Sequence, residues 1–274
     1  MKLAFFGGLY SNYLALETAV SDARRRSVDA MYCLGDLGAF GPHPDRVFPL
    51  LSGNSIPCVQ GNYDDSIGNE LNNCQCGYTD PKDNYFAQIS YDYTLANTSD
   101  DNKNWLRDLP NGLRLSIDGL EIQLCHGSPR RTNEFLWEST TSTAFLDRLC
   151  RDHDADVIVG THSGIHWERE LAHGRRYINA GVLGRPENDG QTCVWYTLIR
   201  TGHDADPDAV PCSMKSRAVP ISVDFVPIEY DYRRLAEEMR RENLPEEFVE
   251  AVLTGWWTTC LEVLPSRERR AGRH

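Results

Sequence analysis

A chain of 274 residues, 41% of them hydrophobic, can bury the core of one large α/β domain, alone or with a small appendage. No stretch approaches the ~18 consecutive apolar residues of a membrane span, and the apolar start Met1–Phe6 runs into Gly7-Gly8 without the cleavage site of a secretory leader. A cytoplasmic location with no membrane partner is therefore expected. The net charge of −12 argues against a nucleic-acid partner, which needs a positive field. Nine cysteines without framework spacing imply reduced thiols, and the C-x-C pair Cys74 and Cys76 alone is a weak metal signal.

In chain order, Lys2–Phe6 reads as a buried strand. Leu14, Leu16, Ala19, Val20 and Ala23, following Asn12, mark the inner face of a helix. Asp29–Leu34 reads as the next strand, then come a helix near Asp45–Leu51 and a third strand over Ile56–Gln60. Units of this length imply parallel pairing with right-handed crossovers. Asn69–Ser99, rich in Asn, Asp, Tyr and Gly, breaks the rhythm and reads as an insertion or a cap over the sheet. A helix over 100–108 precedes the strands Leu113–Ile117 and Leu120–Cys125, which flank the hairpin turn Asp118-Gly119. A helix near Thr143–Arg151 leads to the strand Asp156–Val159, and Arg175–Asn179, Thr192–Ile199 and Val219–Val226 are expected to pair antiparallel. Helices Tyr232–Glu242 and Pro245–Leu253 follow, and Ser266–His274 reads as a frayed basic tail. The order fits a two-sheet α/β sandwich over 1–230 with a helical extension, 231–274, packed on it. Trp256-Trp257 in that extension serves packing first, with a homodimer contact or closure over a site as alternatives.

Loops at the carboxyl ends of parallel strands are where α/β folds place ligands. Here those loops read Gly7-Gly8-Leu9-Tyr10, Gly35-Asp36, Gly61-Asn62-Tyr63-Asp64, Cys125-His126-Gly127-Ser128 and Thr161-His162-Ser163. Asp36, Asn62, His126 and His162 form a mixed oxygen and nitrogen set, suited to a divalent Mn, Zn or Fe ion rather than Ca. Each alone is more often a cap or a satisfied polar group. Four at successive strand ends resist that explanation.

Gly35-Asp36-Leu37-Gly38-Ala39-Phe40-Gly41-Pro42 resembles the G-D-x-x-x-x-G-P motif of bacterial calcineurin-like metallophosphoesterases. Gly61-Asn62-Tyr63-Asp64 is similar to their G-N-H-D, and His126-Gly127-Ser128-Pro129 to their H-G-S-P. Asp156–Leu171 resembles D-V-I-V-F-G-H-T-H-x-P-F-x-R-E-L without a gap, and Asn179–Pro186 the segment N-P-G-S-V-G-x-P. The resemblance implies a four-layer α/β/β/α sandwich and a site in which Asp36, Asn62, His126 and His162 bind metal. Asp36 would bridge two ions about 3.5–4 Å apart that act on a phosphate ester.

Two departures qualify that implication. The opening motif D-x-H falls on Gly8-Leu9-Tyr10, and the second histidine of G-H-T-H falls on Gly164, so three ligands of one ion are missing together. The histidine of G-N-H-D is Tyr63, which can donate a proton or hydrogen bond but is a poor base near neutrality. One reading is a single-ion hydrolase. In a second, Tyr10, His166 or the pair Cys74 and Cys76 rebuilds the lost site. A third is a non-catalytic binding protein on the same scaffold. Retention of a full ligand set for one ion favours the first, with a small phosphorylated metabolite as substrate, mono- or diester. Tyr63 and Arg130 are then candidate catalytic helpers, Arg130 as a guanidinium for phosphate. Asn12, at a helix start, and Ser128 are candidate substrate contacts.

Overall fold

Alternation along β1 (Lys2–Phe6) sets the layers of the computed structural model, which describes residues 1–205 and 219–270. Leu3 and Phe5 face an apolar core shared with Ile122, Leu124, Val157, Val159 and Ile178. Ala4 and Phe6, pointing the other way, belong to a second core with Leu16, Ala19, Leu235 and Phe248. The first core lies between two sheets and the second between a sheet and its helices.

The first sheet has the order β2 (Ala30–Cys33), β1, β8 (Val194–Thr201) and β9 (Ile221–Ile228), with β1 parallel to β2 and antiparallel to β8. The second runs β3 (Gly112–Ile117), β4 (Leu120–Cys125), β5 (Val157–Gly160), β7 (Arg176–Ala180) and β6 (His166–Glu170). Positive φ at Asp118 (53°) and Gly119 (84°) gives the β3–β4 hairpin its tight turn. On the outer face of the second sheet, α6 (Thr143–Asp152) places Leu146, Leu149 and Cys150 against Ile158, Trp167 and Tyr177. The outer face of the first sheet carries α1 (Tyr13–Arg25), α7 (Tyr232–Arg241) and α8 (Glu246–Thr254). The result is the expected four-layer α/β/β/α arrangement.

Several local expectations are corrected. Ile56–Gln60 is not a full strand: it joins β2 only at the Cys33–Cys58 bridge, because Pro57 has no N–H to extend the ladder. The segment Asn69–Ser99, read as an insertion or a cap over the sheet, contains the helix α4 (Pro81–Asn97), and α3 (Asn62–Gly68) comes just before it. The Asp80 carboxylate caps α4 by accepting from the Lys82 and Asp83 amides. Its buried side includes Ser90 and Thr94 beside Phe86, Ala87 and Tyr91, so no apolar stripe announced it. β7 pairs antiparallel, as expected, only with β6, an edge strand rich in charge, and on its other side it pairs parallel with β5. Ser266–Arg270 is a short helix, tied through Glu268 to Ser139, and 271–274 lie outside the described residues. No described helix is long and apolar enough to cross a membrane.

Candidate metal centre

Asp36 reaches the site through a strained turn. Gly35 and Asp36 both adopt positive φ, 87° and 56°. A Cβ on Gly35 would lie 2.4 Å from the Gly61 amide nitrogen, so only glycine fits there. The carboxylate of Asp64 holds the turn in place. Its Oδ2 accepts from the Asp36 (2.8 Å) and Gly61 (2.8 Å) amides and its Oδ1 from Leu37 (2.9 Å). Burial and the charge of Asp36 push the Asp64 carboxyl up to about 6, against those amide donors.

The Asp36 carboxylate faces two imidazoles. His126 Nε2 lies 3.2 Å from Asp36 Oδ2 and 3.1 Å from His162 Nδ1. His126 Nδ1 is 2.7 Å from the Leu34 carbonyl, which assigns a proton to Nδ1 and turns Nε2 toward the cluster. Ligand atoms of Asp36, His126 and His162 all lie within 4.8 Å of one another, and all three residues are buried. Burial opposes the charge on His126, but Asp36 overrides it and raises the imidazole. Burial likewise opposes ionisation of Asp36, yet the facing histidines hold its carboxyl below the usual range. His162 goes the other way: burial and the neighbouring His126 push it down to about 3, so it is a neutral donor at pH 7.

Two orphaned atoms complete the picture. Asn62 Nδ2 donates to the Cys74 carbonyl (2.8 Å), which fixes the amide, while the buried Oδ1 has no partner. His162 Nε2 is also buried without one. An unsatisfied buried acceptor on Asn62, together with a carboxylate and two imidazoles, suits a divalent transition-metal ion. Asp36, Asn62, His126 and His162 thus fit such an ion.

The remaining sequence candidates are placed elsewhere. The Tyr10 ring packs beside Gly8, where an added Cβ would lie 2.8 Å from Tyr10 Cε1 and 3.2 Å from Val182 Cγ1. Burial, then the charge of Asp36, drive its phenol well above the ordinary value, so it stays neutral. His166 sits on β6 with Nδ1 2.7 Å from Glu187 and its ring against Trp195 and Phe225, outside the cluster. Cys74 and Cys76, expected as free thiols, are joined to each other by a disulfide and offer no thiolate. The Tyr63 hydroxyl donates to Ser90 Oγ (2.9 Å) on α4 and is buried there; what Tyr63 gives the site is its backbone N–H, 3.1 Å from Asp36 Oδ1. Arg130 is drawn to Glu134, Nε to Oε2 at 2.9 Å, and its side chain is half exposed. Asn12 caps α1, accepting from Ala15 N (3.0 Å) and donating to Gly184 O (3.0 Å). Ser128 is buried in a tight turn with Arg131, and its hydroxyl donates to Glu134.

Sequence reasoning assigned no role to Asp64, Arg185 or Trp257 by itself. Asp64 had a local signal, an acid three residues past the glycine that opens α3. Trp257 had none. It is 2% exposed, donates from Nε1 to the Pro186 carbonyl (2.7 Å), and stands 3.6 Å from a Cβ built on Gly164. Tyr10, Val182 and Trp257 therefore fill the space beside Gly8 and Gly164.

Residues 1–201 match the model of the calcineurin-like phosphoesterase superfamily domain. An uncharacterized protein of Methanocaldococcus jannaschii is 23% identical over 262 residues, 92% of this chain and 98% of its own length. The fold is similar to that of a hypothetical protein of Pyrococcus horikoshii, with TM-score 0.72, 19% identity and coverage of 94% and 99% of the two chains. It is also similar to that of a metallophosphoesterase of Sphaerobacter thermophilus, with TM-score 0.65, 24% identity and coverage of 93% and 99%. With most of its length matched by that model and a buried Asp and two His gathered at the strand ends, the chain belongs to the calcineurin-like phosphoesterase superfamily, a family of metal-dependent phosphoester hydrolases.

Proposed function

We propose that the chain hydrolyses a phosphate ester of a small metabolite, mono- or diester, with one divalent Mn, Zn or Fe ion held by Asp36, Asn62, His126 and His162. The observation that carries this reading is the convergence of three buried ligand atoms within 4.8 Å beside the orphaned Asn62 Oδ1. An ion there supplies Lewis acidity toward a phosphoryl oxygen. The chain's own part is to keep the donors in place. Leu34 O fixes the His126 tautomer, Asp64 fixes the Asp36 turn, and Cys74 O orients the Asn62 amide. Because Asp36 raises His126, protons and a cation compete for this site, and metal retention is expected to weaken as the pH falls.

Support for one ion rather than two comes from the opposite side, where Tyr10, Val182 and Trp257 occupy the space beside Gly8 and Gly164. The test is metal content per chain combined with turnover of aryl phosphate mono- and diesters after loading with Mn, Zn or Fe. About one ion per chain with turnover supports the reading. One ion without turnover on any ester would favour a non-catalytic binding protein, and two ions would sink the single-site assignment. His126→Ala is expected to abolish metal retention, and full retention in that variant would refute the ligand set.

A further inference from the structure

Arg185 is a buried cation without a counter-charge. Its side chain is 8% exposed, and its Nε is sealed from solvent with no hydrogen-bond partner. Among the described residues no carboxylate lies within ion-pair distance of it, whereas the buried Glu238 is paired with both Arg46 and Arg234. Aromatic faces surround it instead: the guanidinium carbon is 3.5 Å from the Trp257 ring centroid, 4.7 Å from that of Phe40 and 5.9 Å from that of Tyr10. Cation–π contacts are worth about 0.5–2 kcal/mol each, so the three rings offset part of the several kcal/mol that burial of an unpaired ion costs but give its N–H groups no acceptor. A buried charge kept at such a cost has an anion to meet.

Its position says which anion. Gly184, the preceding residue, packs on Leu9 and Tyr10, where an added Cβ would lie 2.4 Å from Tyr10 Cβ. The amides of Leu9 and Tyr10 in turn donate to the Asp36 carbonyl at 2.8 and 3.2 Å. The guanidinium thus packs on a side chain, Tyr10, whose own loop is bonded to the turn that carries Asp36. It rests on two of the side chains, Tyr10 and Trp257, that fill the space beside Gly8 and Gly164. Planar, permanently charged and stacked, it presents a fork that matches two phosphate oxygens.

We propose that Arg185 is the anion-binding residue of this site and takes the phosphoryl group of the substrate, its fixed charge standing on the side where the lost ligands would have held a second ion. The identity of that anion as a substrate group rests on the one-ion reading above. Inorganic phosphate is the probe, titrated calorimetrically into the full chain with and without manganese. The wild-type chain is expected to bind it, and Arg185→Met to bind it about tenfold or more weaker while still retaining manganese. Equal affinity in R185M, or no phosphate binding by the wild type, overturns the assignment. Should R185M not fold, a crystal structure of the wild type with phosphate decides: oxygens at hydrogen-bonding distance from Arg185 support the proposal, and phosphate seated elsewhere overturns it. The two readings fail separately. Arg185-dependent phosphate binding in a chain that retains no metal sinks the one-ion reading alone. Retained manganese with phosphate binding indifferent to R185M sinks this inference alone.

Discussion

The two halves of the site are built by opposite rules. Around Asp36, His126 and His162, backbone amides and carbonyls hold the polar groups in place, and the buried Asn62 Oδ1 is left without a partner. Around Gly8 and Gly164, the ligand positions carry no side chain and the space is taken by Tyr10, Val182 and Trp257. A site in simple decay would be loose on both sides. Here one side is poised for a cation and the other is packed like a protein interior, which points to a rebuilt pocket rather than an abandoned one.

That contrast can be broken by experiment. Trp257→Ala removes the ring that packs beside Gly164 and under Arg185; a loss of about 3–5 kcal/mol in denaturant unfolding is expected, with metal content unchanged. Loss of the ion in that variant would show that the two halves are one structure. Gly8→Asp restores a carboxylate at a position where a Cβ already meets the Tyr10 ring at 2.8 Å. If the packed side is what excludes a second ion, metal content stays near one per chain and stability falls by about 1–3 kcal/mol from overpacking. A rise to two ions would mean that the space was merely empty.

The smallest effect concerns protons on the metal-stripped chain. His162 is pushed down to about 3 by burial and by His126. Between about 3 and 6.5 the unfolded chain binds a proton there that the folded chain does not, so this group makes stability fall as the pH drops below 6.5, by up to ~1.4 kcal/mol per unit. Asp64, pushed up to about 6, contributes the opposite slope between about 4 and 6. His126, raised by Asp36, acts above 6.5 instead, where its stabilising contribution is lost as pH rises. The quantity to measure is therefore the difference between wild type and His162→Gln in urea unfolding at pH 7, 6 and 5. A difference that does not change with pH would show that His162 is not held neutral.

The metal side was legible in the sequence because β2 and β5 are short apolar runs and β4 alternates apolar with polar residues up to Leu124-Cys125, and a carboxylate or imidazole after such a strand has few other reasons to be there. The two-sheet order was legible for the same reason. α4 was not, since Ser90 and Thr94 lie on its buried face and hide the helical period. Ile56–Gln60 misled in the other direction: its apolar character reads as a strand, while Pro57 denies it the ladder. The packed side was the least legible part. Tyr10, Arg185 and Trp257 come from three distant stretches, and a contact made only in the folded chain leaves no local pattern to read. Arg130 looked like the phosphate residue because it follows His126 closely, yet Glu134 claims it. The guanidinium without a partner lay farther along.

The placement of Trp257 has a consequence for how the site is assembled during synthesis. All four proposed metal ligands have left the ribosome by the time residue 162 emerges, and Arg185 follows soon after. The ring on which Arg185 rests arrives only with the C-terminal segment. A nascent or truncated chain thus carries every proposed ligand of the ion before it has the ring on which Arg185 rests. Order along the polypeptide becomes order of assembly, with competence deferred until the last helices have docked.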